Sequence, residues 1–374
     1  MRIRRITLDQ FRSYDTLKLE LAGKPVVLSG ANGAGKTNLM EALSMLSAGR
    51  GMRHARLEEI ARQQGPGSWA VSALLASEAD EIRLGVGVDA GGAAKRRVRI
   101  DGQPVSGPTA LLDYIRFLWL TPAQDRLFMD APAERRRFLD RMTLAHDATH
   151  GHAAASYEKA MRQRTKLLEQ GWAADETLLG VLEAQMAESG VAIAAARREM
   201  ASKLVQGADL LSGESFPKAD IFLEGSLEEA LETQTAGDVE DDYQTRLMAA
   251  RRRDAEAGRA LEGPHRSDML VTHREKQQAA RLCSTGEQKA LLIGLVLANA
   301  RALANHRNDH GAPLILLLDE VAAHLDENRR AALFEILDSI GFQAFMTGTD
   351  ANLFDAWGDR AEHFIVSEGR VEPT

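Results

Sequence analysis

The sequence predicts an α/β fold, a nucleotide-binding unit with a mixed sheet and an antiparallel β-layer, interrupted by a mainly helical second lobe. Three observations predict it. The apolar run Val26-Val27-Leu28 feeds a glycine-rich stretch and then a segment patterned as a helix. A second fully apolar run, Leu314 to Leu318, ends in two adjacent carboxylates, Asp319 and Glu320. Between them, from about Ala133 to Leu261, β-branched alternation gives way to Ala, Leu, Glu, Arg and Gln at helical period.

The elements follow in order. Ile3, Ile6 and Leu8, then Leu17, Leu19 and Leu21, alternate with polar residues as half-buried strands do. Thr37 to Ser47 reads as a helix with Leu39, Leu43 and Leu46 on one face. Val71 to Leu75, Ile82 to Val88 and Val98 to Val105 read as strands, the last turning at Asp101-Gly102. In the lobe, Leu178, Leu182, Gln185, Ser189, Ile193, Arg197, Met200 and Leu204 form one stripe of a long helix, paired with Ala153 to Gln170. At 1.5 Å per residue that helix reaches about 45 Å, so no long coiled-coil arm is expected. Gly207 to Gly225 breaks the hairpin and Asp238 to Leu261 resumes as a charged helix. Asn328 to Ile340 is an amphipathic helix, and Gln343 to Met346 and Phe364 to Val366 are the last strands.

Composition sets the class. Of 374 residues, 44% are hydrophobic and 27% charged, values of a globular chain able to bury a large core. No continuous apolar run reaches the roughly 20 residues that span a bilayer, and the start MRIRRITLDQF lacks the apolar core of a leader, so a cytoplasmic location without membrane contact is expected. The single cysteine, Cys283, reads as a small buried hydrophobe. A net charge of −8 repels nucleic acid overall, so any DNA contact must come from local basic clusters. Four exist: Arg50, Arg53, His54 and Arg56; Lys95, Arg96, Arg97 and Arg99; Arg135 to Arg137; and Arg251 to Arg253. A solvated charged face is the plain alternative for each.

Gly30-Ala31-Asn32-Gly33-Ala34-Gly35-Lys36-Thr37 matches GxxxxGK[ST] between a strand and a helix, where backbone N–H groups can cradle phosphate oxygens. Together with Asn38 this is the candidate cofactor-binding stretch. Lys36 supplies positive charge to the β- and γ-phosphates, and Thr37 offers a hydroxyl to Mg²⁺. Asp319 would hold the same Mg²⁺, directly or through water, and Glu320 would act as general base toward the attacking water. An Asp-Glu pair closing so apolar a strand is costly unless a cation or a reacting water uses it.

Ser284-Thr285-Gly286-Glu287-Gln288-Lys289 opens the helical run Ala290 to Leu303, where Ser is at the least a good N-cap. Placed before the Asp-Glu strand, the stretch resembles the ABC signature, and Ala323-His324-Leu325-Asp326 resembles the D-loop of the same ATPases. Phe11-Arg12-Ser13-Tyr14, the basic stretch Arg50 to Arg56, Glu134-Arg135-Arg136-Arg137-Phe138-Leu139-Asp140 and Gly263-Pro264-His265-Arg266-Ser267-Asp268 then resemble elements of the RecF family within the ABC/SMC-type ATPases. The resemblance runs from Met1 to about Val371 and implies an ABC-type head at 1–130 and 262–374, with an inserted lobe at 131–261. It implies that Ser284, with Gly286 and Gln288, serves nucleotide held on a partner copy, that Arg12 and Asp326 approach the nucleotide, and that Gln124 plays the Q-loop part toward the metal and catalysis. It further implies a head-to-tail, ATP-dependent homodimer with two sandwiched ATP molecules. That dimer closes on duplex DNA and acts at single-strand gap junctions with RecO and RecR to promote loading of RecA. Arg50, Arg53 and Arg56 are the candidate DNA contacts, and Arg135 to Arg137 are candidates for anchoring the lobe.

Two departures stand out. Thr121-Pro122-Ala123-Gln124-Asp125 occupies the place of a common Pro-Glu-Asp-type stretch, and Met346-Thr347-Gly348-Thr349-Asp350 carries no histidine after the final strand of the site, so either Thr349 replaces it weakly or hydrolysis is slow. His150, His152 and His324 read as surface or packing residues. Two other readings compete. A transporter-type ATP-binding subunit is disfavoured because about 250 residues separate Lys36 from Ser284. A structural clamp that uses ATP as a switch and scarcely turns it over is the other.

Overall fold

The computed structural model describes residues 1–91, 95–171, 175–211, 215–305 and 312–374. The centre of the Gly207 to Gly225 stretch and the His324 side chain lie outside the described residues. In chain order come β1 (Arg2–Phe11), β2 (Tyr14–Glu20), β3 (Val26–Ser29), α1 (Lys36–Ser44), β4 (Trp69–Ala76), β5 (Glu81–Val88), β6 (Arg97–Ile100), β7 (Gln103–Val105) and β8 (Arg116–Leu120). Next are α2 (Pro132–His146), α3 (Thr149–Leu168), α4 (Glu176–Asp209), β9 (Ala219–Glu224), α5 (Ser226–Ala230), α6 (Ala236–Ala249), α7 (Arg251–Ala257), β10 (Asp268–His273), β11 (Gln278–Ala279) and α8 (Thr285–Asn305). The chain ends with β12 (Leu314–Leu318), α9 (Glu327–Ile340), β13 (Gln343–Gly348), β14 (Glu362–Ser367) and β15 (Arg370–Pro373). Two compact units result: Met1–Asp125 with Leu211–Phe216 and Leu303–Thr374, and Arg126–Leu210 with Pro217–Ala302. By contact, then, the segment from Gly263 to Ala302 gathers with the helical unit.

In the first unit the five residues of β12 are all buried, as expected of a strand covered on both faces, and β12 lies between β13 and β8 in a sheet ordered β15-β14-β3-β13-β12-β8. Only β15 runs antiparallel there. The alternating strands build a second, antiparallel sheet in the order β2-β1-β4-β5-β6-β7. Its inward residues, among them Ile6, Leu8, Val71, Leu84 and Val98, share one core with Leu39 and Leu43 of α1 and with Ile315, Leu317 and Phe345 of the parallel sheet. Each such side chain contributes about 1.5–3 kcal/mol of burial. Just before β6, Arg96 turns inward and donates to the carbonyls of Met45, Ser47, Ala48 and Gly49, acceptors left open where α1 ends. Burial there lowers its pKa to about 10.

The second unit is built on α4, whose 34 residues give about 51 Å of helix. By length and composition α4 could cross a bilayer, but Leu182, Met186, Ile193, Met200 and Leu204 are buried within this unit, whose core includes α3 and α6. A three-stranded antiparallel sheet, β11-β10-β9, accompanies the helices, so Gly207 to Gly225 is more than a helix break. The charged helix expected over Asp238 to Leu261 divides at Ala250 into α6 and α7, and α7 stops at Gly258 in the left-handed conformation.

Two of the motif stretches clasp one another inside this unit. Arg135 donates from Nε and Nη2 to the two oxygens of Asp268, both at 2.7 Å, and Arg136 donates to the Ser267 carbonyl. Arg197 grips Asp140 at 2.8 and 2.9 Å and also reaches the Pro264 carbonyl and Ser267 Oγ. Gly263 is required at the bend: its φ is +127°, and a Cβ there would lie 2.1 Å from the Tyr243 hydroxyl and 2.3 Å from that of Tyr157. Arg135 and Arg136 are therefore tied into the lobe, while Arg137 is exposed and paired with Glu134.

Candidate nucleotide site

A site for phosphates forms where β3 ends and α1 begins. Gly30 has φ +147° and a Cβ would meet the Val366 carbonyl at 2.2 Å, so only glycine lets the loop leave β3 this way. The β1–β2 turn seats the loop: Tyr14 donates its hydroxyl to the Gly35 carbonyl at 3.0 Å, and Asn38 Nδ2 donates to Ser13 Oγ at 2.9 Å. Lys36 is buried, and its ammonium donates to the carbonyls of Gly30 and Ala31 at 2.6 and 2.9 Å. Burial lowers its pKa, against the pull of Glu320 and Asp319.

Across the parallel sheet, β12 delivers its two carboxylates to the same place. The Asp319 N–H donates to the Leu120 carbonyl of β8 at 2.9 Å, which fixes the strand end. Asp319 Oδ1 accepts from Thr37 Oγ1 at 3.1 Å and from Thr347 Oγ1 at 2.7 Å. Burial raises the Asp319 pKa, and the two hydroxyls oppose that rise. Glu320 sits at φ +54°, a conformation few non-glycine residues adopt, and its N–H donates to Thr347 Oγ1 at 2.9 Å. Thr347 is the site residue the sequence reading did not pick, whereas Thr349 is exposed past the end of β13. A hydroxyl and a carboxylate brought together here form a hard-oxygen donor set that fits Mg²⁺, which usually keeps several waters and shares its remaining ligands with phosphate.

The other predicted residues take these positions. Gln124 closes a short turn after β8 and its Oε1 accepts from Thr121 N at 3.1 Å, so it lies beyond the strand that anchors Asp319. Arg12 is bidentate on the buried Glu41 of α1, at 2.7 and 2.9 Å. Arg53 donates to the same Glu41 and to Asn38 Oδ1, at 3.2 and 3.0 Å. All three candidate DNA contacts, Arg50, Arg53 and Arg56, are exposed, and Arg53 is in addition drawn to α1, the helix of the phosphate loop (P-loop). Asp326 caps α9 by accepting from Arg329 N at 2.8 Å.

Ser284 belongs to the second unit, where it opens α8. Its N–H and Oγ both donate to Glu287 Oε2 at 2.9 Å, and the Glu287 N–H donates back to Ser284 Oγ at 3.4 Å, a reciprocal cap across three residues. The Lys276 ammonium, and then Ser284, bring the Glu287 pKa down to about 2. Gly286 is exposed with nothing near the place of a Cβ, and Gln288 is buried and donates to the Cys283 carbonyl at 2.9 Å. Cys283 is buried, and His150 packs against Asp140 at 3.0 Å.

Residues 2–369 match the domain family described as the RecF/RecN/SMC N terminal domain. The DNA replication and repair protein RecF of Rhizobium etli is 50% identical over 369 residues, covering 98% of this chain and 97% of that protein. The RecF of Brucella suis biovar 1 is 51% identical over 371 residues, covering 99% and 95%. Among solved structures, the recombination mediator protein RecF with ATP, in the RecFOR pathway, superposes with a TM-score of 0.86 at 24% identity, over 100% of this chain and 97% of that one. An Smc head domain derived from Pyrococcus furiosus superposes with a TM-score of 0.54 at 15% identity, over 100% and 96%. These likenesses show the fold, an ABC/SMC-type ATPase head, and the chain's own elements show the helical insertion, with no long coiled coil among the described residues.

Proposed function

We propose that this chain, which belongs to the RecF family, is an ATP-dependent DNA-binding recombination mediator whose ATP-bound form is a head-to-tail dimer closed on DNA and released by hydrolysis. The observation that carries the chemistry is the joining of Thr37, Asp319, Thr347 and Glu320 beside Lys36. Lys36 and the N–H groups of Gly30 to Thr37 bind the phosphates, and Glu320 takes the proton of the attacking water. Thr37 and Asp319 would hold Mg²⁺, with Gln124 at its margin, and the bound ion would supply positive charge to the phosphates. Arg12 and Asp326 border the nucleotide, and Ser284 and Gly286 act on the nucleotide of the partner copy, Gln288 serving it only by bracing their turn through the Cys283 carbonyl. In this reading the functional head comprises 1–130 and 262–374 and the lobe 131–261. The protein works in the cytoplasm at gap junctions with RecO and RecR, in DNA repair and replication, and promotes RecA loading. Sedimentation with ATP, ADP or no nucleotide, each with and without duplex DNA, tests the cycle. Duplex-bound dimers that need ATP are expected, and a monomer in every condition would refute it.

The signature assignment predicts a separable defect. Ser284→Arg places a long cation where the partner's γ-phosphate is capped, so each monomer should bind ATP as before while ATP-dependent dimers disappear from sedimentation profiles. Dimers at wild-type yield would remove Ser284 from the composite site.

The basic stretch after α1 predicts a salt effect. Each arginine that neutralises a phosphate contributes about 0.9 to the slope of log affinity against log salt. Arg50→Ala with Arg56→Ala should lower the magnitude of that slope by up to about two and weaken binding to all duplex sequences alike. Arg53 is left intact because its ties to Glu41 and Asn38 would mix nucleotide effects into the readout. An unchanged slope with dimerisation intact would reject this surface. DNA-stimulated, slow turnover is expected, and single-turnover assays with and without DNA separate it from a clamp that scarcely hydrolyses.

A further inference from the structure

We propose that the Thr347 hydroxyl is the positioning group of the hydrolytic site, orienting Asp319 and Glu320 together from the neighbouring strand. The inference rests on the hydrolytic role of Glu320 proposed above. β13 lies between β12 and β3, with Met346 opposite Leu318 and Thr347 opposite Leu28, so Thr347 stands one step beyond the paired end of β12. It is fully buried in a strand whose preceding residues, Ala344, Phe345 and Met346, are apolar. A buried hydroxyl must find partners, and it has two: the Glu320 N–H at 2.9 Å and Asp319 Oδ1 at 2.7 Å.

Proton counting gives these bonds a direction. A threonine hydroxyl has one proton and two lone pairs, and the Glu320 N–H can only donate, so it takes a lone pair and the hydroxyl proton goes to Asp319. Asp319 Oδ1 therefore accepts from both Thr347 and Thr37, and neither bond engages Oδ2. The Glu320 N–H bond holds that residue at φ +54°, and this backbone setting decides where its carboxylate points. One hydroxyl thus sets the metal-side carboxylate and the general base. The stretch Met346-Thr347-Gly348-Thr349-Asp350 that closes β13 carries no histidine, and Thr349, the other hydroxyl in it, is exposed.

The test compares Thr347→Val, nearly isosteric but without the hydroxyl, with Thr347→Ser, which keeps it, and uses Glu320→Gln as reference. Steady-state hydrolysis, Mg²⁺ titration and binding of a fluorescent ATP analogue are measured, with melting temperature as the folding control. Thr347→Val should lose at least about 10-fold in kcat and need more Mg²⁺ for half-maximal rate, while analogue affinity stays within about threefold. Thr347→Ser should recover kcat to within about threefold of the parent. A kcat for Thr347→Val within twofold of the parent, or a serine variant as slow as the valine one at unchanged melting temperature, would overturn the assignment. Loss of activity in Glu320→Gln but not in Thr347→Val would sink this inference alone. Hydrolysis that survives Glu320→Gln would sink the site reading and this inference together.

Discussion

Glu320→Gln is expected to bind ATP within a few-fold of the parent, form the ATP-dependent dimer and then hold it, with hydrolysis slowed by about 100-fold or more. The substitution keeps the size of the side chain and the backbone bond from Glu320 N to Thr347, so the loop should stay in place. What it removes is the carboxylate that accepts the water's proton. Lys36→Ala should fail one step earlier. Its ammonium is buried among loop carbonyls and is the group that would transfer to phosphate oxygens, a charge-assisted contact of about 1.5–3 kcal/mol, or roughly 10- to 150-fold in affinity. ATP binding measured by filter retention, set beside single-turnover hydrolysis and sedimentation, separates the two. If both variants lose binding and dimers to the same extent, the division of roles between Lys36 and Glu320 is wrong.

The parts of this site that were legible in the sequence are those with a local cause. The P-loop needs glycines and a lysine at fixed spacing beside a strand, and an Asp-Glu pair at the end of five apolar residues stands out by its desolvation cost. Thr347 was not legible because its importance comes from β13 pairing with β12, and nothing adjacent in the chain marks it. For the same reason β8 escaped notice: after Arg116 it is a run of only four apolar residues, Phe117 to Leu120, whose role appears when Leu118 pairs with Leu316. Charge clusters were visible as clusters but not as partnerships. Arg135 proved to be the counter-ion of Asp268 in the clasp of the second unit, and Arg53 that of Glu41 on the P-loop helix. In both cases the deciding carboxylate lies at another point of the chain, so composition alone could not separate a binding face from an internal ion pair.

The largest stability loss is expected at Arg164, whose side chain is only 1% exposed in the second unit. Its Nε donates to Glu183 at 3.0 Å, Nη1 to Asp254 at 2.7 Å and Nη2 to the Leu247 carbonyl at 2.6 Å, which ties α3 to α4, α6 and α7. Arg251 also grips Glu183, so two arginines balance two buried carboxylates. Arg164→Met keeps most of the apolar stem but leaves that group with a net negative charge and Asp254 with the Leu261 N–H as its remaining donor among the described residues. Removing one partner of a buried pair costs about 3–5 kcal/mol, because the remaining charge is neither hydrated nor balanced. The loss should appear in urea unfolding as a lower midpoint for the helical unit. Adding Glu183→Gln should recover part of it, since the surviving Arg251 and Asp254 then carry equal and opposite charge. A midpoint unchanged in the single variant, or a further drop of full size in the double one, would show that the network is not held together by charge balance.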